Sequence, residues 1–263
     1  MPVGALVEAG ELFGIAGNNV RVALARLLAA GQVVRDERGR YRLGETAAPA
    51  LRRVRSWRGL DRVTRSWNGT WLAVQHGVAS SERRRVDLRG RDKALRFFGL
   101  RPLTPALSVR PNNLRASLTE VRAELSALDL PRADLVFEIA DLDPAAELRA
   151  RRLWDAARIR TSYVKHLGEL AHSEQRLGAL SIEEAMVESF LLGRSIIRDL
   201  VLDPLLPDAI CPAGERQALV EALRRYDRLG RVAWVGFLKR FDVPHIGTPL
   251  DSGLDAEPRR LAV

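Results

Sequence analysis

Between residues 20 and 28 the chain sets Val20, Ala23, Leu24, Leu27 and Leu28 at i, i+3, i+4, i+7 and i+8, the spacing of one helical face. Asn18 is a residue type that caps a helix start, and Gly31 is one that ends it. Upstream, residues 5–13 with Leu6 and Leu12 predict a shorter helix. Gly14 ends it, and Ile15, Ala16 and Gly17 make a tight turn into the second helix. Residues 32–35 and 40–43 then read as two short strands around Asp36, Glu37, Arg38 and Gly39, which predicts a hairpin.

The face of the second helix opposite its apolar stripe carries Asn18, Asn19, Val22 and Arg26, with Arg21 on the flank. It is small, polar and basic, as a helix entering a DNA major groove needs to be, and such readers contact bases mainly from the N-terminal part of their second helix. Residues 1–45 are therefore expected to form a winged helix-turn-helix that binds double-stranded DNA. Asn18, Asn19, Arg21 and Arg26 are assigned to the major groove, and Arg38 and Arg40 of the hairpin to the backbone or minor groove. Charge is distributed to match. Of the net +9, residues 1–66 hold twelve basic against six acidic side chains and residues 67–140 twelve against eight, while residues 141–263 are nearly balanced. Only three of the 42 basic residues are lysines, and the planar fork of arginine suits phosphate and guanine. A GC-rich genome also explains an Arg-rich chain, but not the segregation of charge.

Downstream, residues 46–66 read as a basic linker, with Arg52, Arg53, Arg55, Arg58, Arg62 and Arg65 among Ala, Pro and Gly. Residues 67–142 predict a strand at 71–77, a helix at 81–98, a hairpin over 100–103 and 106–109, a helix at 114–128 and a strand at 135–139. That βαββαβ order suggests a ferredoxin-like sandwich. Residues 143–240 predict helices at about 145–158, 161–173, 181–202 and 215–238, an all-helical domain, and residues 241–263 a loose tail. The expected class is α+β, multidomain.

Several function classes find no support. Cys211 is the only cysteine, so no intramolecular disulfide forms, and a cytoplasmic setting is expected. No stretch approaches the roughly 20 apolar residues of a membrane span, and Met1, Pro2 and Val3 open no signal peptide. No Walker loop, Gly-x-Ser-x-Gly, Gly-x-Gly-x-x-Gly or His-Glu-x-x-His motif occurs. His166 and His172 lie six apart and point away from each other on a helix, so no metal or cofactor is expected and the chain reads as a non-enzyme. Ferredoxin-like metal-dependent nucleases place an Asp near the end of the first strand, whereas here the strand ends Val74, Gln75, His76, Gly77. The alternative to a DNA reader is an adaptor, in which helix and hairpin contact other proteins.

The runs Gly4 to Leu27, Trp67-x-Gly69-x-Trp71 and Arg198 to Pro207, in that order along the chain, resemble the PaaX family of bacterial repressors. Gly4, Ala5 and Leu6 lead through Gly14 and Ile15 to Val20, Arg21, Val22, Ala23, Leu24, Ala25, Arg26 and Leu27. Trp67-x-Gly69-x-Trp71 resembles the opening of that family's middle domain. The run Arg198, Asp199, Leu200, Val201, Leu202, Asp203, Pro204, Leu205, Leu206, Pro207 resembles its C-terminal signature. The resemblance implies a homodimeric cytoplasmic repressor of phenylacetate catabolism or a related pathway, released from DNA by phenylacetyl-CoA or another acyl-CoA. Arg194 and Arg198, four apart beside the Asp203-Pro204 turn, are the candidates for the CoA phosphates, with salt bridging as their alternative role. Two departures stand out. A helix that the family carries ahead of Gly4 is expected to be missing here, and Cys211, Pro212, Ala213, Gly214 and Glu215 replace a Trp-containing run.

Overall fold

The computed structural model describes residues 1–36, 38–47, 54–77 and 84–243, which form a mixed α and β protein with two small antiparallel sheets. Glu37 of the hairpin turn, Arg52 and Arg53, residues 81–83 of the expected helix and residues 244–263 of the tail lie outside the described residues. The chain divides into two compact units, one of residues 1–48, 180–187 and 228–263, the other of 49–179 and 188–227. The boundaries read from sequence at 45, 66, 142 and 240 follow the chain. Packing instead groups the sheet with most of the helical segment.

In the first unit, α1 (Val3–Leu12) and α2 (Gly17–Ala29) are joined by a turn in which Gly14 takes φ +72°. They approach closely at Gly10, where a Cβ would stand 2.5 Å from Val20 Cγ2. The hairpin β1 (Val33–Arg35) and β2 (Tyr41–Leu43) pairs Val33 with Leu43 and Arg35 with Tyr41. Its turn is held by Asp36 Oδ1, which accepts from the Arg38 and Arg40 N–H groups at 3.1 and 2.7 Å. Pro2 bridges Arg40, and the Tyr41 N–H donates to the Met1 carbonyl at 2.7 Å. The core is buried Ala5, Met186 and Phe237, packed round by Leu12, Trp234 and Phe241 among others. Phe241 and Asp242 are thus held by packing and by Arg40, so the expected loose tail does not begin at 241.

Two expectations about α2 need correcting. Asn18 is not its cap: the helix starts two residues earlier than expected, at Gly17, Ala16 is the N-cap residue, and no side chain caps it. The apolar stripe is also only partly covered. Val20 meets Gly10 and Leu24 is buried, but Ala23, Leu27 and Leu28 are exposed.

The second unit contains β3 (Trp71–Gln75), α3 (Arg84–Phe97), β4 (Arg101–Thr104), β5 (Leu107–Pro111), α4 (Leu118–Ala127) and β6 (Leu135–Ile139). The sheet order is β4-β5-β3-β6, every neighbour antiparallel. Leu72 and Val74 enter a core with Ala94, Phe98, Val121 and Leu125, while Trp71, Ala73 and Val109 enter another with Trp154, Leu206 and Cys211. Both faces of β3 are covered, so its sequence is apolar without alternation. Helix α4 starts at Leu118, not at 114, because Ser117 and Glu120 form a capping box. The residues before it pair instead with the linker: Thr64 bridges Leu114, and the Arg65 N–H donates to the Asn113 carbonyl.

Helices α5 (Pro144–Arg151), α6 (Ala156–Leu177), α7 (Ile182–Val201) and α8 (Gly214–Arg240) follow. The helix expected over 145–158 breaks in two, since the Asp155 side chain caps α6 by accepting from the Arg158 N–H. The expected linker is built in as well. Residues Ser56–Arg62 form 3-10 turns that bury Trp57 and Leu60 with Tyr163, Leu170, Ile196 and Leu223, and Arg58 Nη2 donates to both carboxylate oxygens of Asp227, at 2.8 and 3.0 Å. One Trp and one Leu in a basic stretch outweigh its charge, because burying each stabilises by about 2 kcal/mol.

Candidate nucleic-acid interface

Helix α2 presents Asn18, Asn19, Arg21, Val22 and Arg26 to solvent. At 100° per residue these five span an arc of about 160°, one continuous face. Among the described residues no hydrogen bond or ion pair engages the side chains of Asn18, Asn19, Arg21 or Arg26. The first turn holds no acidic residue and no side-chain cap, but its Asn19 N–H already donates to the Ala16 carbonyl at 2.9 Å, and Glu11 Oε1 of α1 stands 3.7 Å from where a Gly17 Cβ would be, so a carboxylate lies beside the helix start. The Arg21 Nη1 lies 3.4 Å from where a Gly17 Cβ would stand, so its guanidinium reaches back over the helix start.

The hairpin residues divide. Arg38 is exposed, and among the described residues it bonds through its backbone N–H alone, to Asp36. Arg40 is not free: Asp242 Oδ2 stands 3.7 Å from its Nη1, and Nη2 also donates to the Asp242 carbonyl. The carboxylate occupies the guanidinium assigned to DNA. Arg42, not assigned from sequence, is exposed and without a side-chain partner among the described residues. Its position between two strand residues of a basic hairpin was the signal available.

Arg194 and Arg198, four residues apart, lie on one helix. Both are exposed on α7; Arg198 Nε lies 3.3 Å from Asp199 Oδ1, and Arg194 has no side-chain partner among the described residues. The cations serving the Asp203-Pro204 turn are Arg110 and Arg216. Arg110 donates to the carbonyls of Phe98 (2.6 Å), Pro111 (3.1 Å) and Pro204 (3.1 Å) and to Asn113 Oδ1 (3.0 Å), and Asn113 Nδ2 donates to the Leu205 carbonyl at 2.7 Å. Burial pushes the Arg110 guanidinium down to about 10. Asp203 accepts from the Leu205 N–H and the Tyr163 hydroxyl and lies 3.9 Å from Arg216 Nη1; burial pushes its carboxyl up. Among the described residues no buried side-chain nitrogen or oxygen lacks a hydrogen-bond partner, and the bonds of Arg110 and Asn113 tie strand β5 to the turn after α7, which makes this a joint between sheet and helices. Sequence alone missed Arg110 because a lone Arg in a strand carries no signal of burial.

His166 joins α6 to α7, with Nδ1 2.9 Å from Glu169 Oε2 and Nε2 3.1 Å from Asp199 Oδ2. Among the described residues no His, Cys, Asp and Glu group is placed to hold a metal, and no helix is long and apolar enough to cross a membrane. At the end of β3, Asp134 does lie close, accepting from the Gly77 N–H, but Arg91 Nη2 holds the same carboxylate at 2.6 Å.

No family model and no curated protein matches the chain. Among solved structures it is similar to uncharacterized protein Rv0674 from Mycobacterium tuberculosis, with a TM-score of 0.56 and 25% identity over 89% of this chain and 92% of that one. That likeness bears on the fold and names no activity.

Proposed function

We propose that the protein is a bacterial DNA-binding transcription regulator of the PaaX type, a dimeric cytoplasmic repressor released by an acyl-CoA such as phenylacetyl-CoA. The single observation that carries the DNA reading is the α2 face: four polar or basic side chains, exposed and unengaged, at an uncapped helix start. On this reading α1, α2 and the hairpin are a winged helix-turn-helix. The four-stranded sheet is ferredoxin-like: numbered in chain order, its strands run 2-3-1-4 across the sheet, with a helix after the first and third.

Asn18 and Asn19 suit adenine, and Arg21 and Arg26 suit guanine or phosphate. Arg38 and Arg42 supply backbone contacts from the hairpin, and Arg40 joins them only by leaving Asp242. A dimer reads an inverted repeat with half-sites near multiples of a helical turn. The effector belongs to the family resemblance, with exposed Arg194 and Arg198 as the candidates for its phosphates.

The test is fluorescence-anisotropy binding to DNA upstream of the gene, with and without phenylacetyl-CoA. The reading expects sequence-selective, salt-dependent binding that the thioester weakens. Selective binding indifferent to the thioester removes that effector. Absence of selective binding removes the DNA reading and favours the adaptor.

A further inference from the structure

The two edges of the four-stranded sheet are built differently. At one edge, β4 contains Pro102, which has no N–H, and its pairing with β5 slips between Pro102 and Thr104. Both features spoil a strand as a template for another strand. At the other edge, β6 pairs with β3 along all five residues without a slip. In an antiparallel ladder a residue's N–H and C=O point to the same side. Arg122 donates to the Val136 carbonyl from Nε at 3.0 Å and Nη2 at 2.7 Å, so Val136, and with it Glu138, turns its backbone away from β3. A groove of about 690 Å³ follows this edge, lined by Arg122, Arg132, Leu130, Leu135, Val136 and Phe137 among others. Leu135 is 60% exposed, and Arg132 and Glu138 are exposed without side-chain partners among the described residues.

We propose that β6 docks antiparallel against β6 of a second copy of this chain, about a two-fold axis at Phe137, joining two sheets into one. Charge complementarity selects this occupant. Arg122 and Arg132 stand at the start of the strand, and Glu138 and Asp141 at or just beyond its end. Pairing about Phe137 sets Val136 opposite the partner subunit's Glu138, so that carboxylate comes to Arg122. The Val136 carbonyl then takes the backbone N–H of the partner strand in place of the guanidinium. The same register aligns Leu135 with the partner's Ile139 and Phe137 with its own copy, all on one face. An axis at Glu138 opposes two glutamates, and one at Val136 sets Glu138 against the partner's Asp134; like charges disfavour both.

The inference deepens the dimeric regulator proposed above and rests on it for the presence of a second copy. Its test is sedimentation equilibrium of the full chain without DNA, so its failure is separate from a failure of operator binding. Wild type is expected to dimerise. Glu138→Pro removes an N–H that β3 does not use and is expected to leave a monomer with unchanged far-UV circular dichroism. Arg122→Glu and Glu138→Arg are each expected to weaken association about tenfold or more, and the double variant to return it to near wild type. A wild type monomeric at every concentration sampled overturns the proposal. So does a folded Glu138→Pro variant that still dimerises as tightly, or a double variant no better than the singles. If Glu138→Pro does not fold, the charge-swap series decides alone.

Discussion

Gly10 and Gly4 lie on the same helix and make opposite demands. A Cβ at Gly4 meets only Phe241 Cε1 at 3.9 Å, an ordinary contact, whereas at Gly10 it runs into Val20 Cγ2 at 2.5 Å. Removing a helical glycine stabilises by about 1 kcal/mol, and overpacking costs about 1–3 kcal/mol. Gly4→Ala is therefore expected to raise the thermal midpoint slightly and Gly10→Ala to lower it. A Gly10→Ala variant as stable as wild type means that α1 and α2 do not pack as described. At α4 the demand is on a cap. Ser117→Ala is expected to cost about 1 kcal/mol in urea unfolding. Its partner Glu120 has its carboxyl pKa lowered by the Ser117 backbone and side-chain hydrogen bonds. A lowered folded value contributes stability above the ordinary carboxylate range and loses it as pH falls through the lowered value. Glu120→Gln should then flatten the acid-side slope of stability, and a slope identical to wild type removes the box from the account.

At the scale of elements, β6 runs over residues 135–139 as its apolar, β-branched run predicts, and both hairpins fall where their turns place them. These are local signals, and the backbone answers to them locally. The misreadings share a different cause. Asp155 splits one expected helix because a cap outweighs a continuous apolar period, and Ser117 moves a helix start by four residues for the same reason. The basic stretch around Trp57 reads as a linker because six arginines dominate its composition, yet its fate depends on cores formed by residues more than a hundred positions away. Trp57→Ala is accordingly expected to destabilise the second unit by about 3–5 kcal/mol in denaturant titration. A change under about 1 kcal/mol would restore the solvated linker. In the candidate site the exposure of Asn18, Asn19, Arg21 and Arg26 was legible from the helical period, whereas the exposure of Ala23, Leu27 and Leu28 on the other side of α2, and the pairing of Arg40 with Asp242, 202 residues apart, were not.

For the whole molecule, the net charge of +9 and its concentration in the first 140 residues describe a chain whose long-range field draws polyanions. On the proposed reading that field supplies affinity without selectivity, and the α2 face supplies the groups that tell one base pair from another. The most direct measurement is therefore anisotropy binding of wild type, Asn19→Ala and Arg26→Ala to the upstream DNA and to a scrambled duplex across a salt series. The account predicts that each substitution costs about 1–3 kcal/mol on the cognate duplex. It predicts little change for Asn19→Ala on the scrambled one, and a log–log salt slope shallower by about one for Arg26→Ala if that residue meets phosphate. Variants that bind the upstream DNA as wild type does would contradict it, because the reading face of α2 would then read nothing.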